Sequence, residues 1–329
     1  MKSYIPPEIE HKLGTLLGKS TSIALLAKGG NSSVWNYRVS NQSYAVKLYP
    51  IEDKSLRIEN EFAALTWLRK SDFFLVPAAI FKDERHRFAV YELLPGNKVP
   101  AEGVTDSHIK QYFDLFRSLK RLSRTDSTPQ FRSAKEACFD IQSHIELIDK
   151  RFITLRETPW KNVAIYCNER IAPLWNILKK RLQVRQPCNH LVMPHERILS
   201  PSDVGFHNTL EGDSGLLHFF DFEYFGWDDP IKFLADFTLQ PQYDLPITKL
   251  IPHLQRLLAD ETNGKIRYLN MLQLLNIKWS LIFLNPALRD YKCISQEGDL
   301  AQLLEVRLER VEQRLIRFDT ILNTLEHSI

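Results

Sequence analysis

The feature that most limits what this chain can be is a spacing in its second half. Asp203 and Asn208 stand five apart in the turn-prone segment SPSDVGFHNTL, and a short apolar run from Leu216 to Phe220 then ends on Asp221. The pattern is D-x-x-x-x-N followed by D-F. If a strand-loop-strand unit brings the three together, one carboxylate can take a proton from an attacking hydroxyl. The amide and the second carboxylate supply hard oxygens to a hard cation that keeps part of its water shell. Asp and Asn also favour turns, because their side chains hydrogen-bond the nearby backbone. Residues upstream must therefore decide between the two readings.

Residues 21–49 alternate as strand, turn, strand, turn, strand. The first turn holds Gly29, Gly30, Asn31, Ser32 and Ser33, where glycine permits a close backbone approach and exposed N–H groups can lie over phosphates. A plain hairpin turn would also use these residues. Lys47 follows in the run AVKL, either as a site lysine or as an edge-strand charge. Residues 56–70, LRIENEFAALTWLRK, make an amphipathic helix with Ile58, Phe62, Leu65 and Leu68 on one face. Glu61 on that helix is the expected ion-pair partner of Lys47, with Glu59 the alternative and a solvated surface charge the bland reading of either. Two more strands are expected between Val76 and Glu92, and Pro95-Gly96 breaks the sheet.

In this order the residues resemble the aminoglycoside phosphotransferase and choline kinase superfamily, small-molecule kinases with a protein-kinase-like fold. The resemblance spans roughly residues 20–240. DFEY at Asp221–Tyr224 looks like choline kinases, and GWDDPIKFLA at Gly226–Ala235 looks like the tail of aminoglycoside kinases, with Phe233 where that tail has Asp. Two further departures precede the catalytic aspartate, where Pro201 and Ser202 replace the usual His-Gly. The resemblance implies an α+β, protein-kinase-like two-lobed fold. Its N-lobe, residues 1–95, is a small antiparallel sheet with one helix, and its C-lobe, residues 96–329, is larger and mainly helical.

The resemblance also implies ATP and Mg²⁺ as cofactors and a hydroxyl on a small molecule as acceptor. Asp203 becomes the base, and Asn208 and Asp221 the metal ligands. The glycine turn, Lys47 and Glu61 attend the phosphates, while main-chain groups of Glu92 and Leu94 attend the adenine. Glu223, Trp227 and Asp229 are the expected acceptor contacts. Carboxylates at Glu223, Asp228, Asp229 and Asp236 favour a cationic or polyhydroxylated acceptor, a sugar or amino sugar ahead of an aminoglycoside or choline. The rival class is a nucleotide-binding pseudokinase, suggested by Pro201-Ser202. A protein kinase is disfavoured, since only eight residues separate Asp221 from Pro230 and no A-P-E element follows.

Composition removes other classes. Lys and Arg number 43 against 40 Asp and Glu, interspersed, so there is no basic stripe for nucleic acid. Cys138, Cys167, Cys188 and Cys293 lack metal-ligand spacing. MKSYIPPEIEHKL has no apolar core of a signal peptide, and no run approaches the ~20 residues that span a bilayer, so a cytoplasmic protein without membrane contact is expected. Helices are expected near residues 105–122, 133–157, 162–183, 247–259 and 265–284, the early ones forming the larger lobe. The last, Asp299–Leu325, carries an apolar seam at Leu304, Leu308, Val311, Leu315, Phe318, Leu322 and Leu325. The seam suits either docking on its own domain or a homodimer.

Overall fold

The alternating pattern of the first hundred residues closes into one antiparallel sheet. A computed structural model of the chain describes residues 4–29, 32–50, 56–125, 128–184, 190–240, 242–288 and 297–329. Gly30 and Asn31 of the glycine turn, and Cys188 and Cys293, lie outside the described residues. An opening helix, α1 (Pro7–Leu17), leads into β1 (Ser22–Lys28), β2 (Ser33–Val39) and β3 (Gln42–Leu48). After α2 (Arg57–Lys70) come β4 (Ala79–Asp83) and β5 (Phe88–Glu92), and the sheet order is β1-β2-β3-β5-β4. The register sets Lys47 of the central strand β3 opposite Val34 on one side and Ala89 on the other. One face of the sheet buries Trp35, Tyr37, Val46 and Val90 against Ile5, Ile9 and Leu13 at the chain start. The sequence pattern had not marked α1, whose Pro-Pro start conceals a helix with proline at its first position.

By its contacts the chain divides into two compact units. The first comprises Met1–Gly103, Arg124–Lys135 and Leu199–Gly226, the second Val104–Ser123, Glu136–Ile198 and Trp227–Ile329. The first unit holds the sheet and also the segment with Asp203, Asn208 and Asp221. There β7 (Thr209–Glu211) and β8 (Leu217–Phe219) form a small hairpin, preceded by the short strand β6 (Ile198–Ser200). Gly96 ties the two parts of this unit together. Its φ of +107° lies in glycine territory, and an added Cβ would sit 2.2 Å from the Glu211 carbonyl. That approach lets Asn97 pair with Glu211 in both directions, at 3.0 and 2.8 Å.

The second unit is helical, entered through β9 (Gly226–Asp228). Its helices are α3 (Asp106–Leu122), α4 (Ile141–Arg156), α5 (Lys161–Tyr166), α6 (Ala172–Val184), α7 (Pro230–Thr238), α8 (Ile247–Ala259), α9 (Gly264–Phe283) and α10 (Glu297–Ser328). A single wide turn at Cys167–Ile171 joins α5 to α6, so the expected 162–183 helix is nearly continuous. The helix expected from 133 begins only at Ile141, because Asp140 caps it by accepting the Ser143 N–H at 2.7 Å. Thr105 and His108 close a reciprocal cap on α3. Phe152, Trp175, Leu182 and Leu281 form the core with Leu304, Val311 and Leu315 of α10. The seam of α10 is thus buried within its own unit. Among the described residues no helix is long and apolar enough to cross a membrane.

Candidate active site

Strand alternation turns Lys47 and Tyr49 to one face of the sheet, where α2 crosses. Lys47 is buried, and its Nζ lies 2.7 Å from Glu61 Oε2, 2.7 Å from Asp221 Oδ1 and 3.2 Å from Glu223 Oε2. Burial alone would lower the lysine pKa, but the charges of Asp221, Glu61 and Glu223 outweigh it and hold the group well above its ordinary value. Lys47 is therefore a fixed ammonium. Of the two glutamates weighed for the ion pair, Glu61 makes it. Glu59 approaches Arg87 instead, at 3.8 Å.

Glu61 is held from three directions. Besides Lys47 it accepts from the Tyr49 hydroxyl at 2.6 Å and from the Phe222 N–H at 3.1 Å. The Tyr49 and Tyr91 hydroxyls are 2.7 Å apart. Since Tyr49 donates to the carboxylate, Tyr91 must donate to Tyr49. Burial and Glu61 raise both phenols well above their usual range, so they stay protonated donors. In the sequence the only signal for either tyrosine is the period of two, which turns Tyr49 and, through the pairing of Lys47 with Ala89, Tyr91 to the same side as Lys47. On the same helix Asn60 donates to the carbonyls of Glu223 and Phe225 at 3.2 and 2.8 Å, anchoring the segment that carries Asp221.

The β7–β8 hairpin brings Asn208 and Asp221 to its open end. Phe220 N–H donates to Asn208 O at 3.1 Å, one residue before Asp221. Asp221 takes φ +65°, a left-handed conformation that Asp tolerates better than most residues. The Asn208 amide donates through Nδ2 to the Asp203 carbonyl at 3.1 Å. That bond fixes the amide and leaves Oδ1 without a protein donor among the described residues, as is Oδ2 of Asp221. Two hard oxygens without protein donors on one hairpin fit a divalent cation that keeps water. Glu61, Asp221 and Glu223 also form an oxygen cluster within 4.8 Å, but Lys47 already occupies it.

Asp203 sits in the loop after β6 with 38% of its side chain exposed, and Oδ1 lies 3.1 Å from His207 Nε2. His207 went unnoticed in the sequence, where its only signal is its place four residues beyond Asp203. Ser202, standing where the family has glycine, takes φ +68°, the conformation glycine would supply without strain. Its N–H donates to Ser200 Oγ at 3.0 Å, and its hydroxyl to Lys135 O at 2.8 Å.

The remaining expected contacts are placed as follows. Gly29 donates to Ser32 O at 2.9 Å across the turn, and the buried Ser33 hydroxyl accepts from Trp35 Nε1 at 3.1 Å. The Glu92 carboxylate is taken by Arg69 and the Ala78 N–H, and the Glu92 N–H itself donates to Ala78 O at 2.9 Å. Leu94 has no hydrogen bond among the described residues. Glu223 turns to Lys47. In the helical unit Trp227 is half-buried, and Asp229 caps α7 by accepting from Ile231 N–H at 2.8 Å while pairing with Arg267 at 2.8 and 2.9 Å. Asp228 and Asp236 flank Lys232 at 2.8 and 3.1 Å, all three buried. All four carboxylates expected to favour a cationic or polyhydroxylated acceptor are therefore paired with cations inside the fold, Glu223 with Lys47, Asp228 and Asp236 with Lys232, and Asp229 with Arg267.

A buried sheet lysine clasped by a helix glutamate, beside a hairpin that presents an amide and a carboxylate, defines a kinase-like phosphotransferase. Comparison with known proteins agrees. The profile of the phosphotransferase enzyme family (APH) matches residues 22–238. The chain belongs to that family, and its class is that of small-molecule kinases. No curated protein matches the sequence significantly. Among solved structures, the chain is similar to APH(2'')-IIa in its gentamicin complex, with 15% identity and a TM-score of 0.66 over 95% of this chain and 97% of that one. It is similar to ADP-bound APH(2'')-Ib at 15% identity and a TM-score of 0.64, covering 93% and 99%. A choline/ethanolamine kinase family protein from Mesorhizobium loti gives 14%, 0.62, 97% and 98% in the same order. At such identities the likeness establishes the fold.

Proposed function

We propose that the protein transfers the γ-phosphoryl group of ATP to a hydroxyl of a small molecule, with Mg²⁺. The observation that carries this is the clasp of Lys47 by Glu61 beside Asp221, all in the unit that also holds Asp203. In this reading Lys47 holds the α- and β-phosphates, and Leu94 offers its main chain to the adenine. Asn208 Oδ1 and Asp221 would hold Mg²⁺, which supplies charge neutralisation between the phosphates when bound. Asp203 accepts the acceptor's hydroxyl proton as its oxygen bonds to the γ-phosphorus. The bond from that phosphorus to the β–γ bridging oxygen breaks, and ADP leaves. His207 orients the Asp203 carboxylate.

The acceptor is read as a sugar or amino sugar. The pairing of Asp228, Asp229 and Asp236 removes the charge preference that the segment after Asp221 was expected to impose, and Asp229 has structural work with Arg267. The pseudokinase alternative draws no support from Ser202, whose backbone takes the glycine conformation. The test is ADP release from ATP and Mg²⁺ across a panel of sugars, amino sugars, aminoglycosides and amino alcohols, with D203N as control. Turnover with one acceptor, absent in D203N, is expected. Thermal stabilisation by ATP without turnover on any acceptor would favour the pseudokinase.

A further inference from the structure

The helical unit contains a cavity of 720 Å³ whose wall is basic. Such a volume suits a small ligand. Arg307, Arg310, Arg314 and Arg317 of α10 all line it, at steps of three, four and three that place them on one face of the helix. Asp244 is the one carboxylate among the described lining residues, and it pairs with Arg317. Arg310 stands at the rim with no ion-pair partner among the described residues.

Arg314 is the most telling of the four. Its Nε donates to Asn276 Oδ1 and its Nη1 to Leu239 O, both at 3.1 Å, which locks the guanidinium in place. Its Nη2 is buried with no hydrogen-bond partner among the described residues. Burial lowers its pKa to about 10, against the attraction of Asp236, so the group is still charged at neutral pH. A buried donor on a charged group without an acceptor is destabilising, and native folds seldom keep one without a ligand, ion or water to satisfy it. Like charges gathered on one helix face add to that cost.

The rest of the wall says what the anion is attached to. Trp279 and Tyr243 offer flat faces, and the Trp279 indole is held by Asp236 at 3.0 Å. Gln313 adds an amide suited to a hydroxyl, while Gln240 on the same wall donates its own amide to Phe237 O at 3.1 Å. We propose that this cavity binds a small organic anion, a ring-bearing phosphate or carboxylate such as a sugar phosphate or sugar acid, with Arg314 and Arg310 as its anion contacts. The proposal rests on the cavity alone and stands or falls apart from the reading of the nucleotide site.

The test is thermal shift and calorimetry on the full chain with glucose 6-phosphate, glucuronate and inorganic phosphate, against glucose and glucosamine. At least one of the two organic anions is expected to bind and stabilise through the cavity, whereas any binding of glucose or glucosamine, as acceptors would show, is expected to be unchanged in R310Q and R314Q. R310Q, which removes no internal contact, is expected to weaken binding at least about fivefold, and R314Q to abolish it. K47A is expected to keep it, which separates this cavity from the phosphate-binding lysine. An anion consumed together with ATP is the acceptor, and one bound unchanged is a regulatory ligand. Either outcome supports the site when R310Q weakens the binding. Failure of both organic anions to bind, glucosamine binding that R310Q and R314Q weaken as much as they weaken anion binding, or anion binding lost in K47A but kept in R310Q and R314Q would overturn it.

Discussion

Asp203 keeps a large part of its side chain in solvent and shares one oxygen with His207, so replacing it removes a proton acceptor without emptying a core. Asp203→Asn is expected to lower kcat by about 10²–10⁴ while calorimetric ATP affinity stays within about threefold. An equal loss in both would move Asp203 to the nucleotide side. Lys47 and Glu61 make a different case, because each supports the other. Lys47→Ala and Glu61→Ala should each weaken ATP use, the lysine more, and the double mutant should be no worse than Lys47→Ala, a coupling of about 1–3 kcal/mol. Independent addition of the two effects would show that the clasp does not act as a unit. At this scale the sequence was informative where a contact follows from order along the chain, as for the ion pair of Lys47 with Glu61. It was silent on His207 and Tyr91, whose neighbours are set by a loop and by strand register.

Elements convert those side chains into geometry, and two of them carry sharp tests. Gly96 holds the β7–β8 hairpin against the end of the sheet through a contact that no Cβ can enter. Gly96→Ala is expected to cost at least about 2 kcal/mol in urea unfolding, with nucleotide affinity falling as the hairpin shifts. Helix α7 is pinned by Asp228 and Asp236 on either side of Lys232, each four residues away. Lys232→Met would leave two buried carboxylates without their shared cation and is expected to cost roughly 3–5 kcal/mol. A loss under 1 kcal/mol would mean that Lys278 and Trp279 carry the pair. In the sequence Asp228, Lys232 and Asp236 are evenly spaced charges, but Asp228 ends β9 and all three are buried, since sequence shows where charges stand and not whether water reaches them. The polar face of α10 escaped notice for a related reason. Its apolar seam dominates the pattern, while four arginines on another face read as ordinary solvation until a cavity is seen beside them.

For the molecule as a whole, stability should carry a signature of buried titration. His144 of α4 is buried, and burial together with Lys278 and Lys232, against Asp236, pushes its pKa down to about 3, whereas an unfolded histidine titrates near 6.5. The unfolded chain accordingly takes up a proton that the folded chain refuses. This contribution is complete above about pH 6.5 and is lost as the pH falls towards 3, at about 1.4 kcal/mol per unit, or roughly 2 kcal/mol by pH 5. His144→Gln is expected to shrink the difference in urea midpoint between pH 7 and pH 5, and an unchanged difference would place the proton elsewhere. The overall class was legible because the order of strands, helix and loops leaves few folds open. Which surfaces end up buried was not. One consequence reaches beyond structure. Around Lys47 three carboxylates face one ammonium and, at 3.9 Å from Glu223, the Arg57 guanidinium, so the site proposed to receive a polyphosphate keeps a net negative charge at rest. Free nucleotide should then behave as a repelled guest, bound more tightly as monovalent salt screens the repulsion, the reverse of an ordinary phosphate site. The divalent complex should show the weaker salt dependence.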